Sequence, residues 1–273
     1  RHRQTGRPPE ALPYAELGVM TNYSFLHGAS HPSDLIARAM ELGLHAIGIA
    51  DRNSVAGVVR AYVALRDAPE KARQAWMDAK KEKGEAPALT AGEQAACETD
   101  LRLVVGARLV FVDGTPDILA YPTSRFGWGR LTRLLTRGNM LAVKGDCILR
   151  MGDLIAHLDD MQLVVMPFST ARLQRGHASP PDYPVDDRQP EGDAPHLRLV
   201  SSSLPPMDWT ATLRLLQSKA PGRVWLGLCQ RYQGRDARHM ARMQGVAAEL
   251  NVPLLATNDV LYAEESARPL QDV

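Results

Sequence analysis

Short apolar runs alternate with amphipathic helical stretches along most of the chain, and this order constrains the fold more than any other feature of the sequence. "AELGVM" (15–20) predicts a short strand, and "PSDLIARAMELG" (32–43) a helix opened by Pro32 and Ser33 and closed by Gly43. "HAIGIAD" (45–51) then predicts a strand and "SVAGVVRAYVALRD" (54–67) a helix. "LRLVVGARLVFVDG" (101–114) and "PDILAYP" (116–122) are two apolar runs joined by an Asp-Gly turn, the strongest short signal for a hairpin. A helix is predicted at 127–138, strands at 158–168 and 224–230, helices at 208–223 and 236–251, and a last strand in "VPLLATND" (252–259).

Repeated strand-then-helix units imply a largely parallel sheet built by right-handed crossovers, and six or seven strands suit an open or irregular barrel. Two stretches break the rhythm. Residues 68–100 are rich in Ala, Lys and Glu and predict a partly helical, charged insertion, and 173–206 carries seven prolines and predicts a flexible loop. One domain spanning 1–273 is the simplest organisation.

With 45% hydrophobic and 23% charged residues, the 273-residue chain has the make-up of a globular protein. Its 32 Lys+Arg balance 31 Asp+Glu, so no whole-chain field marks a nucleic-acid binder. Cys97, Cys147 and Cys229 form no C-x-x-C, which argues against a zinc knuckle or a disulfide framework and fits a reducing cytoplasm. No run reaches the ~18 apolar residues of a membrane span, and the start lacks the apolar stretch of a signal peptide, so a soluble cytoplasmic location without membrane contact is expected.

Polar residues at strand ends are where α/β folds place their chemistry. Those of this chain are Thr21, Asn22 and His27, then Asp51 and Arg52, then Arg108, and finally Asn258 and Asp259. No H-x-H, H-E-x-x-H, G-x-S-x-G or P-loop motif is present. Arg130, Arg133 and Arg137 share one helical face opposite Leu131, Leu134 and Leu135. Such a stripe suits a nucleic-acid or domain contact, although a solvated face is its commonest role.

Four segments, 20–62, 103–122, 130–139 and 252–273, including "MTNYSFLHGASHPSDLIARAMELGLHAIGIADRNSVAGVVRAY", together resemble the N-terminal PHP (polymerase and histidinol phosphatase) domain of bacterial C-family DNA polymerases. The likeness is closest to the error-prone branch related to the DNA polymerase III alpha subunit. It implies a distorted (β/α)7 PHP-type barrel whose active members bind zinc, manganese or iron through His and carboxylate ligands. Carried over by position, the first H-x-H motif falls on Gly18 and Met20, and a further Asp or His ligand falls on His27. The histidine after the acid of the second strand falls on Arg52, the bridging glutamate on Arg108, and the closing D-x-H on Asp259-Val260-Leu261. His27 and Asp259 are thus vestigial ligand candidates beside degenerate positions Gly18, Met20, Asp51, Arg52, Arg108 and Leu261.

Two scattered ligands fall short of the three or more that a catalytic metal site needs. Arg52 and Arg108 also bring permanent cations, and at an effective dielectric of ~20 a unit charge ~4 Å from a divalent ion is repelled by roughly 8 kcal/mol. The expectation is a catalytically inactive structural module with no cofactor of its own, in which Asp51 and Asp259 pair with Arg52 and Arg108. Capture of a phosphate by the two arginines is the alternative use of the crevice.

The resemblance further implies a parent DNA-directed DNA polymerase acting in damage-induced translesion synthesis. Its Mg2+-binding palm, with thumb and fingers, is absent from these residues. Expected partners are the rest of the polymerase chain, accessory translesion proteins, the sliding clamp complex, and DNA through the parent. The competing readings are an active Zn- or Mn-dependent phosphoesterase or 3'-5' proofreading exonuclease, and a single-stranded DNA-binding module.

Overall fold

Seven strands and eight α-helices follow one another in a computed structural model that describes residues 13–84, 86, 88–167, 208–230, 234 and 236–271. The first half comprises β1 (Ala15–Val19), α1 (Pro32–Glu41), β2 (Ala46–Arg52), α2 (Ala56–Glu82), α3 (Ala91–Cys97), β3 (Arg102–Leu109) and β4 (Asp117–Pro122). The second comprises α4 (Arg125–Met140), α5 (Met151–Ile155), β5 (Met161–Met166), α6 (Trp209–Lys219), β6 (Val224–Leu228), α7 (Asp236–Glu249), β7 (Leu254–Ala256) and α8 (Arg268–Gln271). The loop expected at 173–206 lies outside the described residues. Among those described, no helix is long and apolar enough to cross a membrane.

The strands form one sheet in chain order, β1 to β7, curved into a half-barrel within a single α/β domain. β4 is antiparallel to both neighbours, whereas the other neighbouring pairs are parallel. The Asp-Gly turn produces this reversal, with Gly114 at φ 88°. It has a positional consequence: β4 begins, at Asp117, at the same end of the sheet where the parallel strands finish.

Strand alternation sorts side chains between two faces. On the outer face Val19, Ile47 and Ile49 pack with Leu35 and Ile36 of α1 and Val58 and Ala61 of α2. Further along the same face Leu109, Ile118, Leu163, Val165 and Leu226 meet Leu131 and Leu134 of α4, Leu213 and Leu216 of α6 and Met243 of α7. The inner face holds Ala50, Leu119, Tyr121, Val164 and Met166. Since Ile49 faces out and Ala50 in, Asp51 falls on the helix side of β2 and Arg52 on the inner side.

The helix predicted at 54–67 does not stop there. α2 runs on through Pro69 to Glu82, although a proline inside a helix removes a backbone hydrogen bond. Its buried residues, Gly57, Val58 and Ala61, all lie in its first two turns, so polar ties hold the far half. Lys80 Nζ donates to Glu93 Oε2 (2.7 Å) and to the Ala88 carbonyl (2.8 Å), and Arg73 pairs with Glu98 at 2.6 Å. A Thr90–Glu93 capping box starts α3. The expected insertion is therefore the end of one long helix plus a short helix folded back onto it.

Candidate functional site: the charged mouth of the half-barrel

Arg52 and Arg108 are register partners at the ends of β2 and β3. The Arg108 side chain is only 1% exposed. Its Nη1 lies 3.4 Å from Asp117 Oδ2, and its Nη2 pairs with Asp259 Oδ1. Arg52 Nη1 reaches the same Asp117 oxygen at 3.7 Å. Burial opposes the charge on Arg108, but the attraction of Asp259 and Asp117 outweighs it and raises the guanidinium pKa further. Burial raises the Asp259 carboxyl pKa, and the Arg108 charge offsets that rise only in part.

The expected Arg108–Asp259 pair is present, but the expected role of Asp51 is corrected. Asp51 accepts from the Thr21 amide (2.8 Å), the Thr21 hydroxyl (3.0 Å) and the Ser24 hydroxyl (2.7 Å). Its Oδ2 occupies the space where a side chain at Gly57 of α2 would stand. Alternation is the reason: consecutive residues of a strand face opposite ways, so Asp51 cannot join Arg52 in the hollow. The carboxylate instead anchors the loop after β1 to the outside of β2.

Asn53 sets the two arginines side by side. Its own amide donates to the Arg108 carbonyl (2.8 Å), its Oδ1 accepts from the Val110 amide (2.8 Å) and its Nδ2 donates to the Val110 carbonyl (3.1 Å). A side chain thereby extends the β2–β3 ladder past the last strand residue.

Glu16 performs a comparable task at the seam between β1 and β7, which are not ladder neighbours. This buried carboxylate accepts from Gly18 N (3.0 Å), Asn258 N (2.9 Å), Asn258 Nδ2 (2.9 Å), the Tyr14 hydroxyl (2.8 Å) and the Thr257 hydroxyl. Neither Glu16 nor Asp117 was singled out in the sequence. A lone acid in an apolar strand is the available signal for Glu16, and the hairpin is the signal for Asp117.

The positions matched to metal ligands serve packing here. A Cβ at Gly18 would strike the Thr257 hydroxyl, so a histidine does not fit there without rearrangement. Met20 is buried and its amide donates to the Val260 carbonyl (2.9 Å); the Leu261 carbonyl accepts from Ala29 N (2.8 Å). His27, half-buried near Arg52, has its pKa lowered from 6.5 to about 4, first by burial and then by the Arg52 charge. Of the ligand types left at this mouth, Asp117 and Asp259 are engaged by guanidinium groups. Among the described residues no group of three or more His, Cys, Asp or Glu is arranged to hold a metal ion. These side chains do not fit the metal cluster implied for an active barrel of this kind.

On α4, Arg130 pairs with Asp159 and Arg137 with Asp153, both at 2.9 Å, while Arg133 is exposed. Two of the three cations in that stripe thus have acidic neighbours.

Residues 16–140, which hold nearly all of β1, all of β2 to β4, Glu16 and both arginines, match the PHP domain family. Within that segment the chain is similar to a PHP domain. Beyond the matched segment, the likeness to error-prone DNA polymerases runs along nearly the whole chain. The polymerase of Rhodopseudomonas palustris (strain HaA2) is 42% identical over 274 residues, covering 95% of this chain and 21% of its own length. That of Brucella abortus biovar 1 (strain 9-941) is 39% identical over 263 residues, covering 96% of this chain and 19% of its own. That of Bradyrhizobium sp. (strain ORS 278) is 40% identical over 267 residues, covering 96% and 18%. The chain spans about a fifth of the length of these relatives. A solved protein from Bifidobacterium adolescentis superposes with a TM-score of 0.48 at 12% identity, over 92% of this chain and 88% of its own, a likeness too low to bear on function.

Proposed function

We propose that this PHP domain is a metal-free structural and interaction module of an error-prone DNA polymerase, and that it performs no hydrolysis itself. One observation carries the reading: Arg108 lies fully buried at the strand ends with Asp117 and Asp259 around its guanidinium. A guanidinium stays charged at any physiological pH, so it supplies lasting positive charge where an active barrel would supply a divalent ion. The ion pairs do mechanically what bridging metals would do, joining β3, β4 and the segment after β7.

The parent is a DNA-directed DNA polymerase of the cytoplasm, active in damage-induced translesion synthesis, with Mg2+ held in a palm outside these residues. Its PHP module meets DNA through the parent, and accessory translesion proteins and the sliding clamp complex are its further partners. Elemental analysis of the purified protein, followed by phosphoesterase and 3'-5' exonuclease assays with added Mn2+ or Zn2+, tests the central claim. The expected result is substoichiometric metal and no turnover. Stoichiometric metal with turnover abolished by chelation would overturn it in favour of an active phosphoesterase.

A further inference from the structure

The loop between β1 and α1 presents three large apolar side chains to water in succession. Tyr23 is 43% exposed, Phe25 74% and Leu26 50%. The loop that carries them is firmly anchored. Ser24, between Tyr23 and Phe25, is buried and donates to Asp51 Oδ1 (2.7 Å), and the Ser24 carbonyl accepts from His27 N (2.9 Å) and Gly28 N (3.0 Å). Asn22 N donates to the Ser30 carbonyl (2.9 Å), closing the base of the loop. The burial of Ser24 turns its two neighbours outward.

Leu26 adds a second observation. Its φ of 62° lies in the left-handed region, where a leucine costs about 1 kcal/mol or more and where Asn or Gly is at ease. Half of the surface of this strained leucine is open to solvent.

We propose that Tyr23, Phe25 and Leu26 form a docking crest for an apolar surface of the remaining polypeptide of a full-length polymerase. This rests on reading the chain as a module of such an enzyme. Two facts select that occupant. The relatives that match 95–96% of this chain devote only 18–21% of their length to the match, so about four times as much further chain accompanies these residues in them. The stretch 21–31 contains no Lys, Arg, Asp or Glu, so it offers phosphates no cation and suits a protein surface better than nucleic acid. The crest also adjoins the segment after β7, since Ala29 N donates to the Leu261 carbonyl (2.8 Å) and Ala263 N to the Ser30 hydroxyl (2.8 Å).

Amide hydrogen exchange of residues 21–28, measured in the 273-residue chain and in the full polymerase chain, tests the proposal. Exchange is expected to be about tenfold slower or more in the full chain. Phe25→Ser and Leu26→Asn should each return it to the rate of the shorter chain, while leaving the thermal midpoint of the shorter chain unchanged or higher. Equal rates in the two chains would overturn the proposal. So would slowing in the shorter chain that grows with protein concentration, which would assign the crest to a second copy. A metal found in the barrel would overturn the proposed function yet leave this comparison intact.

Discussion

Arg52 and Arg108 stand as register partners on adjacent parallel strands, and both reach one oxygen of Asp117, at 3.7 Å and 3.4 Å. Neighbouring strands are about 4.8 Å apart, so the two cations would repel one another without that shared acid. With Asp259 on the far side of Arg108, two positive and two negative groups form one cluster.

Arg108→Met strands buried carboxylate on Asp259 and Asp117 and is expected to lower stability by about 3–5 kcal/mol in urea denaturation. Adding Asp259→Leu removes one of the two stranded charges, while Asp117 keeps Arg52 at 3.7 Å, and should restore part of the loss. A double variant no more stable than Arg108→Met would show that the pair is not the source of the effect.

Asp51→Ala leaves the Thr21 amide and two hydroxyls without their acceptor, a loss of about 2–4 kcal/mol. Because Asp51 and Arg108 lie on opposite faces of the sheet, the losses from Asp51→Ala and Arg108→Met should add within about 0.5 kcal/mol. Strong coupling in that double-mutant cycle would place Asp51 in the charge cluster after all.

Glu16→Gln turns a donor towards groups that are themselves donors, and it is expected to cost roughly 2 kcal/mol. The local sign should be faster amide exchange at 257–263, the segment that Glu16 ties to β1. Unchanged exchange there would deny the carboxylate its part in closing the seam.

The depressed pKa of His27 gives a pH signature. Above pH 6.5 the imidazole is neutral in both folded and unfolded chains and contributes no slope. As pH falls below 6.5 the unfolded chain binds a proton that the folded one refuses, so stability declines until about pH 4, where both are protonated. The ring is half-buried, and solvent screening brings the expected loss at pH 4.5 to about 1 kcal/mol. His27→Gln should remove that part of the decline, and NMR titration should find the wild-type ring neutral at pH 5.

Periodicity made most of the fold legible, since β1, β2, β3, β5, β6 and α1, α4, α6, α7 all lie within or close to the expected stretches. α5 was missed because five residues are too few for a helical period, and Arg150 at its N-cap is not a capping residue type. The length of α2 was missed because the Ala-, Lys- and Glu-rich composition of 68–100 breaks the strand-helix rhythm and reads as a separate insertion, whereas the ties from Lys80 and Arg73 to α3 and its flanks hold the helix beyond Pro69. At the site, place at the strand ends picked out Arg52, Arg108 and Asp259, but applying the two-residue strand period to Asp51 and Arg52 would have separated them. Asp117 required one more step: in a hairpin, the start of the second strand sits beside the end of the first.

Thr257 leaves the ribosome 241 residues after Glu16. At ~5–20 residues per second, that delay is about 12–50 s. Throughout it the nascent chain holds an acid in its first strand whose distal partners do not yet exist, so water must solvate it. The seam between β1 and the segment after β7 therefore closes only once residue 257 has been made, which favours all-or-none folding over a stable early half.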